Sequence, residues 1–156
     1  MPDFSHLTDE GDASMVDVSG KAVTAREARA RGFLRLKPAH LEGLGRLPKG
    51  DALTVAQIAG IQGGKKCSEL IPLCHPIALT KLDVFLEPLK DGIGIEAVAK
   101  TESQTGVEME AYAAVVVAGI TLIDMFKGID PDLTLTDIQL ITKTGGKAPW
   151  HRESVS

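Results

Sequence analysis

Lys81-Leu82-Asp83-Val84-Phe85-Leu86, followed after the turn signal Lys90-Asp91-Gly92 by Ile93-Gly94-Ile95-Glu96-Ala97-Val98-Ala99, is the stretch whose reading decides the fold. Leu82, Val84 and Leu86 alternate with Lys81, Asp83 and Phe85, and Ile93, Ile95, Ala97 and Ala99 repeat the pattern, so each run has a strand's period of two and one buried face. Two such runs across a glycine-containing turn make a β-hairpin. Before the hairpin, Asp51 opens a helix marked by Val55, Ile58, Ala59 and Gln62, weakened or kinked at Gly63-Gly64 and stopped at Pro72. After it, 106–127 reads as one long helix, apolar nearly all round in its middle, which implies burial on more than one side and an oligomer.

Two outer strands complete the series. Ala30, Gly32, Leu34 and Leu36 alternate with Arg29, Arg31, Phe33 and Arg35, giving a strand with a basic second face. Leu133, Leu135, Ile138 and Leu140 form the last strand, with a break in the alternation at Asp137. The order is β-α-β-β-α-β, the α+β, ferredoxin-like or split βαβ arrangement: an antiparallel sheet with both helices on one face. Residues 38–50 read as a connector with one helical turn. Residues 1–14 read as a disordered leader, 15–147 as a single catalytic domain and 148–156 as a flexible tail.

The 156 residues fit one domain, and 44% apolar with 24% charged residues is an ordinary globular balance. A net charge of -4 argues against a general affinity for nucleic acid or anionic membrane. Asp3, Asp9, Glu10 and Asp12 with no Lys or Arg near the start are unlike a targeting peptide. Two cysteines are too few for a disulfide framework, so a cytoplasmic address is expected.

Three clusters carry chemistry. Leu70-Ile71-Pro72-Leu73-Cys74-His75-Pro76 holds a thiol and an imidazole on a stiff connector between prolines, where His75 can shuttle protons near neutral pH. Asp124 and Lys127 share one helix face, suited to general acid/base work, although an ordinary surface ion pair has the same spacing. Thr105-Gly106-Val107-Glu108-Met109-Glu110 opens the long helix, where Glu108 and Glu110 also complement the dipole. Lys49, Lys143 and Lys147 lie beside or near glycines, where ammonium groups and backbone N–H groups can meet phosphate oxygens; solvated loop lysines are the plainer alternative. Cys67, Cys74 and His75 are conceivable zinc ligands, but their spacing lacks the tight pairs of a four-ligand site and no metal is expected.

Together with Met15-Val16-Asp17-Val18-Ser19, Arg26-Glu27-Ala28, Lys49-Gly50-Asp51, Ala59-Gly60-Ile61, Asp124-Met125-Phe126-Lys127 and Lys143-Thr144-Gly145-Gly146-Lys147, these stretches make the chain resemble the cyclic pyranopterin monophosphate synthase family of molybdenum-cofactor biosynthesis. The resemblance runs from about Met15 to Lys147. It implies a ferredoxin-like subunit, a homohexamer built as a trimer of dimers, and an active site where two subunits meet. It implies a phosphorus–oxygen lyase that converts 3',8-cyclo-7,8-dihydroguanosine 5'-triphosphate to cyclic pyranopterin monophosphate and diphosphate, with no cofactor and no obligatory metal. Asp124 and Lys127 then match catalytic positions, with Lys49 and His75 beside them. Leu73, Cys74, His75, Glu108, Met109, Glu110, Lys143 and Lys147, with Arg26 from the basic face, match substrate-binding ones. Against the family's habit, Gly63-Gly64 replaces alanine-like residues and Cys67 a threonine, which puts helix stiffness in doubt. The alternative is a regulatory ferredoxin-like domain that binds a small anion or nucleotide without catalysis; it needs the lysines but has no use for Asp124, Lys127 and His75.

Overall fold

The computed structural model of the protein describes residues 5–153. Its strands are β1 (Thr24–Arg35), β2 (Leu79–Leu89), β3 (Gly92–Ser103), β4 (Thr134–Thr144) and β5 (Trp150–His151), in the sheet order β2-β3-β1-β4-β5. All neighbours are antiparallel. β3 therefore runs between β1 and β2 and against both, which is the split βαβ placement expected from the sequence. β5 is an addition to that pattern. It pairs His151 with Thr142 and Trp150 with Lys143, in the stretch read as a flexible tail. Of the segments read as loose, 1–4 and 154–156 lie outside the described residues; within them, Leu7 bridges to Ala13.

The hairpin turns on Lys90-Asp91 alone, with Leu89 paired to Gly92. A Cβ at Gly92 would sit 2.0 Å from the Leu34 carbonyl oxygen, so the crossing of β3 and β1 requires glycine there. Ala28, Ala30, Leu34, Val84, Ile93, Ile95, Ala97 and Ala99 are buried on the inner face. The outer face carries charge pairs, Arg29 with Glu96 and Lys100 with Glu27. In β4 the register slips between the partners of Arg31 and Phe33, and Asp137 takes φ 54°, so the break in alternation is a bulge.

The helices are α1 (Pro38–Leu41), α2 (Ala52–Lys65), α3 (Cys67–Leu70) and α4 (Glu108–Phe126). Asp51 caps α2 by accepting hydrogen bonds from the Leu53 and Thr54 backbone N–H groups at 3.1 and 3.2 Å. The helix runs through Gly63-Gly64 and breaks instead at Lys66, whose ψ of 11° lets α3 restart at a new angle. The glycines serve packing. A Cβ at Gly63 would lie 2.6 Å from Val117 Cβ, and one at Gly64 3.0 Å from the Glu110 carbonyl oxygen, so α2 touches α4 almost backbone to backbone.

α4 is buried on two sides. It meets α2 on one, and on the other Val115 and Gly119 press onto Gly32 of β1 and Leu135 of β4. Part of the apolar band stays outside these contacts: Ile120 is 56% exposed. By length and composition α4 could also cross a membrane, but half of that stretch is buried inside the fold, as in a core helix.

Gly63→Ala gains about 1 kcal/mol of helix propensity and meets an immovable Val117 Cβ. Overpacking should win, with a net loss of about 1–3 kcal/mol in chemical denaturation. In a Val117→Gly background, where no Cβ remains to be met, Gly63→Ala should cost much less than in the wild type; an equal loss there would show that the glycine serves something other than helix contact.

Candidate active site

The proline-bounded connector leaves α3 with the Cys74 N–H donating to the Ile71 carbonyl at 3.1 Å, which folds it back toward the start of α4. His75 Nε2 lies 2.6 Å from the Val16 carbonyl oxygen and so ties the segment before β1 to the connector. In that segment the Ser19 backbone N–H, at 2.9 Å, holds the Asp17 carboxyl below its ordinary range, with a smaller contribution from His75. The Cys74 thiol lies 3.7 Å from Cys67 Sγ and 3.7 Å from Glu110 Oε1. Glu110 is only 3% exposed, and its Oε2 has no hydrogen-bond partner among the described residues. Burial pushes the Glu110 carboxyl up, and pushes both thiols up with it.

A cavity of about 490 Å³ is lined by Lys21, Arg26, Glu108, Lys143 and Lys147. Alternation along β1 puts Arg26 on the face of Ala28 and Ala30, not on the basic face of Arg29 and Arg31 from which the sequence derived it. Its guanidinium donates to the Ser103 and Gln104 carbonyls at 3.0 and 3.1 Å, which orients it at the end of the sheet. Gly145 and Gly146 take φ 83° and 68°, and a Cβ on Gly146 would meet the Arg26 guanidinium at 2.4 Å. This turn lies between Lys143 and Lys147, which line the same cavity as Arg26. Lys143 Nζ pairs with Glu108 Oε1 at 3.1 Å. Lys21 escaped the sequence reading, although Gly20-Lys21 repeats the glycine-lysine adjacency used to find the other lysines.

The third group lies at the far end of α4. Asp124 Oδ1 meets Lys127 Nζ and Oδ2 meets Lys49 Nζ, both at 2.7 Å, and Lys49 also donates to the Asp124 carbonyl at 3.0 Å. The Lys127 ammonium, and next the Lys49 ammonium, lower the Asp124 carboxyl to about 2. The aspartate side chain is 51% exposed, so solvent screens the pairs and their worth is an ionised carboxylate within reach of incoming groups rather than stability. Lys49 belongs with this group and not with Lys143 and Lys147.

One chain therefore brings the candidate residues together in three groups. Arg26, Glu108, Lys143 and Lys147 line the cavity, which none of Leu73, Cys74, His75, Met109 or Glu110 lines; Cys74 meets Glu110, with Leu73 and His75 on the same connector and Met109 on the same helix start. Lys49, Asp124 and Lys127 form the third group. Glu110 and Asp124 sit on one unbroken helix, and fourteen residues at about 1.5 Å rise put them about 21 Å apart.

Residues 15–146 match the model of the MoaC family. A cyclic pyranopterin monophosphate synthase of Dinoroseobacter shibae is 52% identical over 95% of this chain and 96% of its own length. Proteins of the same name from Corynebacterium efficiens and Peptoclostridium acidaminophilum are 48% and 45% identical, over 95% and 98% of this chain and 97% and 99% of theirs. With a match that takes in Arg26, Glu108, Lys143, the Asp124 group and strands β1 to β4, the chain belongs to the MoaC family.

Proposed function

We propose that the protein is a cyclic pyranopterin monophosphate synthase, a lyase that converts 3',8-cyclo-7,8-dihydroguanosine 5'-triphosphate to cyclic pyranopterin monophosphate and diphosphate. The near-full-length match, at 45–52% identity, to relatives bearing that name carries the reading. The geometry supports it. Ring closure forms a new P–O bond at the α-phosphorus while the bond to diphosphate breaks, so negative charge accumulates on the leaving group. Arg26, Lys143 and Lys147 can neutralise it, with Lys21 beside them. Opening and rebuilding the purine ring needs proton transfer, for which Asp124, kept ionised by two ammonium groups, offers an acceptor and Lys127 and Lys49 offer donors. His75 relays protons, and Leu73, Cys74, Glu108, Met109 and Glu110 contact the substrate.

A separation of about 21 Å along α4 is too long for one compact nucleotide to touch both Glu110 and Asp124 of a single chain. Each active site is therefore shared, with Met109-Glu110 from one subunit and Asp124-Lys127 from another, in a cytoplasmic homohexamer of three dimers. The uncovered sheet face, where Phe85 is 52% exposed among the charge pairs, offers area for subunit contact. A regulatory anion-binding domain would leave the Asp124 group idle.

Incubation with the cyclic dihydroguanosine triphosphate should release diphosphate and a pterin product by mass spectrometry. Asp124→Asn should lower kcat by about 10²–10⁴; unchanged turnover would remove Asp124 from the chemistry. Mixing inactive Asp124→Asn and Glu110→Gln chains should regenerate up to about a quarter of the sites, as random assembly of a two-subunit site allows. Absence of any recovery contradicts a shared site.

The Asp124 carboxyl should titrate at about 2, below the ordinary 3.8, when followed by carboxyl ¹³C shifts. Because the folded value is the lower one, its contribution to stability is present above 3.8 and disappears as pH falls through about 2. Lys49→Ala should move the midpoint up toward 3.8; an unmoved midpoint would mean that Lys49 does not act on it.

A further inference from the structure

Cys67, Cys74 and Glu110 come from three different elements: the first residue of α3, the connector, and the first turn of α4. Their donor atoms all lie within 4.8 Å of one another. The separations have a particular size. For a tetrahedral centre with metal–sulfur arms of about 2.3 Å and a metal–oxygen arm of about 2.0–2.2 Å, the S···S edge is about 3.8 Å and the S···O edge about 3.6 Å. The observed Cys67–Cys74 and Cys74–Glu110 edges are both 3.7 Å. A second observation points to a ligand independently: Glu110 is buried at 3% exposure with Oε2 unpartnered, and no lysine or arginine pairs with it among the described residues. A buried carboxylate without a cation is costly.

We propose that Cys67, Cys74 and Glu110 form a binding site for one thiophilic divalent cation of the zinc class, with a fourth coordination position left open. Two sulfur donors in three select zinc over magnesium or calcium. Binding replaces both thiol protons with the metal, and any proton on Glu110 leaves to solvent with them. The ion would neutralise Glu110 and clamp α3, the connector and the start of α4 together. His75 is outside the set, since its Nε2 is engaged by the Val16 carbonyl. The sequence pointed away from zinc because spacing alone offered Cys67, Cys74 and His75, and the carboxylate arrives from 36 residues further along the chain. Cys74 and Glu110 are also residues that the proposed function sets against the substrate, so the test reads metal rather than turnover and its failure leaves that reading untouched.

Untagged, reduced full-length protein titrated with Co²⁺ should bind one ion per chain, develop a thiolate-to-cobalt charge-transfer absorption, and lose it when Zn²⁺ is added. Cys67→Ser should weaken Zn²⁺ binding by about 100-fold or more, and the Tm increase that Zn²⁺ gives the wild type should vanish in the variant. Cys74→Ser, read the same way, serves if Cys67→Ser does not fold. A wild-type chain with no charge-transfer band overturns the proposal, as does a band of equal strength in either variant.

Discussion

The close approach of α2 to α4 is the constraint on which the rest depends. Gly60, Gly63 and Gly64 face Ala114, Val117 and the Glu110 carbonyl at distances that leave no room for a Cβ without movement. Packing is then set by backbone shape, and a backbone contact fixes the axial position of both helices more tightly than interdigitated side chains do. With α2 fixed, α3 starts where Cys67 meets Cys74 and the connector. With α4 fixed, the places of Glu110 and Asp124 along the covered face of the sheet follow.

α4 therefore acts as a spacer as well as a core element. Its start carries Glu108 and Glu110 toward Lys143 and the thiols, while its end carries Asp124 to Lys49 and Lys127. The two ends differ in solvent contact as well. Glu110 is buried, and burial raises its carboxyl; Asp124 is half exposed, and two ammonium groups lower its own. Burial thus biases Glu110 toward its neutral form while the two lysines bias Asp124 toward its ionised form, so one helix presents carboxyls of opposite bias at its two ends.

Much of this was legible in the sequence because alternation and helical period respond to which face is buried, and here both faces of the split βαβ unit are sharply distinguished. The hairpin, the cap at Asp51, the bulge at Asp137 and the length of α4 were all written in local patterns. Three features were not. β5 rests on backbone hydrogen bonds and on Arg152 Nε donating to the Leu140 carbonyl at 2.8 Å, and neither leaves a hydrophobic period. The purpose of Gly63-Gly64 depends on a helix some fifty residues away, so locally it read as weakness. The face of Arg26 followed from the strand's extent: once β1 begins at Thr24, parity alone assigns it to the inner side.

The division of the lysines shows why residue type and spacing fall short of a site. Lys49, Lys143 and Lys147 look alike in the chain, each near a glycine, yet Lys49 lies against the end of α4 and the other two against its beginning. What separates them is the nearest carboxylate, Asp124 in one case and Glu108 in the other. Lys49 shares its carboxylate with a second lysine, so Asp124 stays charged whichever of the two ammonium groups turns to a ligand. Lys143 faces Glu108 alone, and an anion entering the cavity competes with that single carboxylate for it. The cavity is therefore charged against anions by Glu108 and for them by Arg26, Lys21 and Lys147. Such a balance favours a ligand carrying several negative charges over one carrying a single charge, because only the former outweighs the carboxylate it displaces.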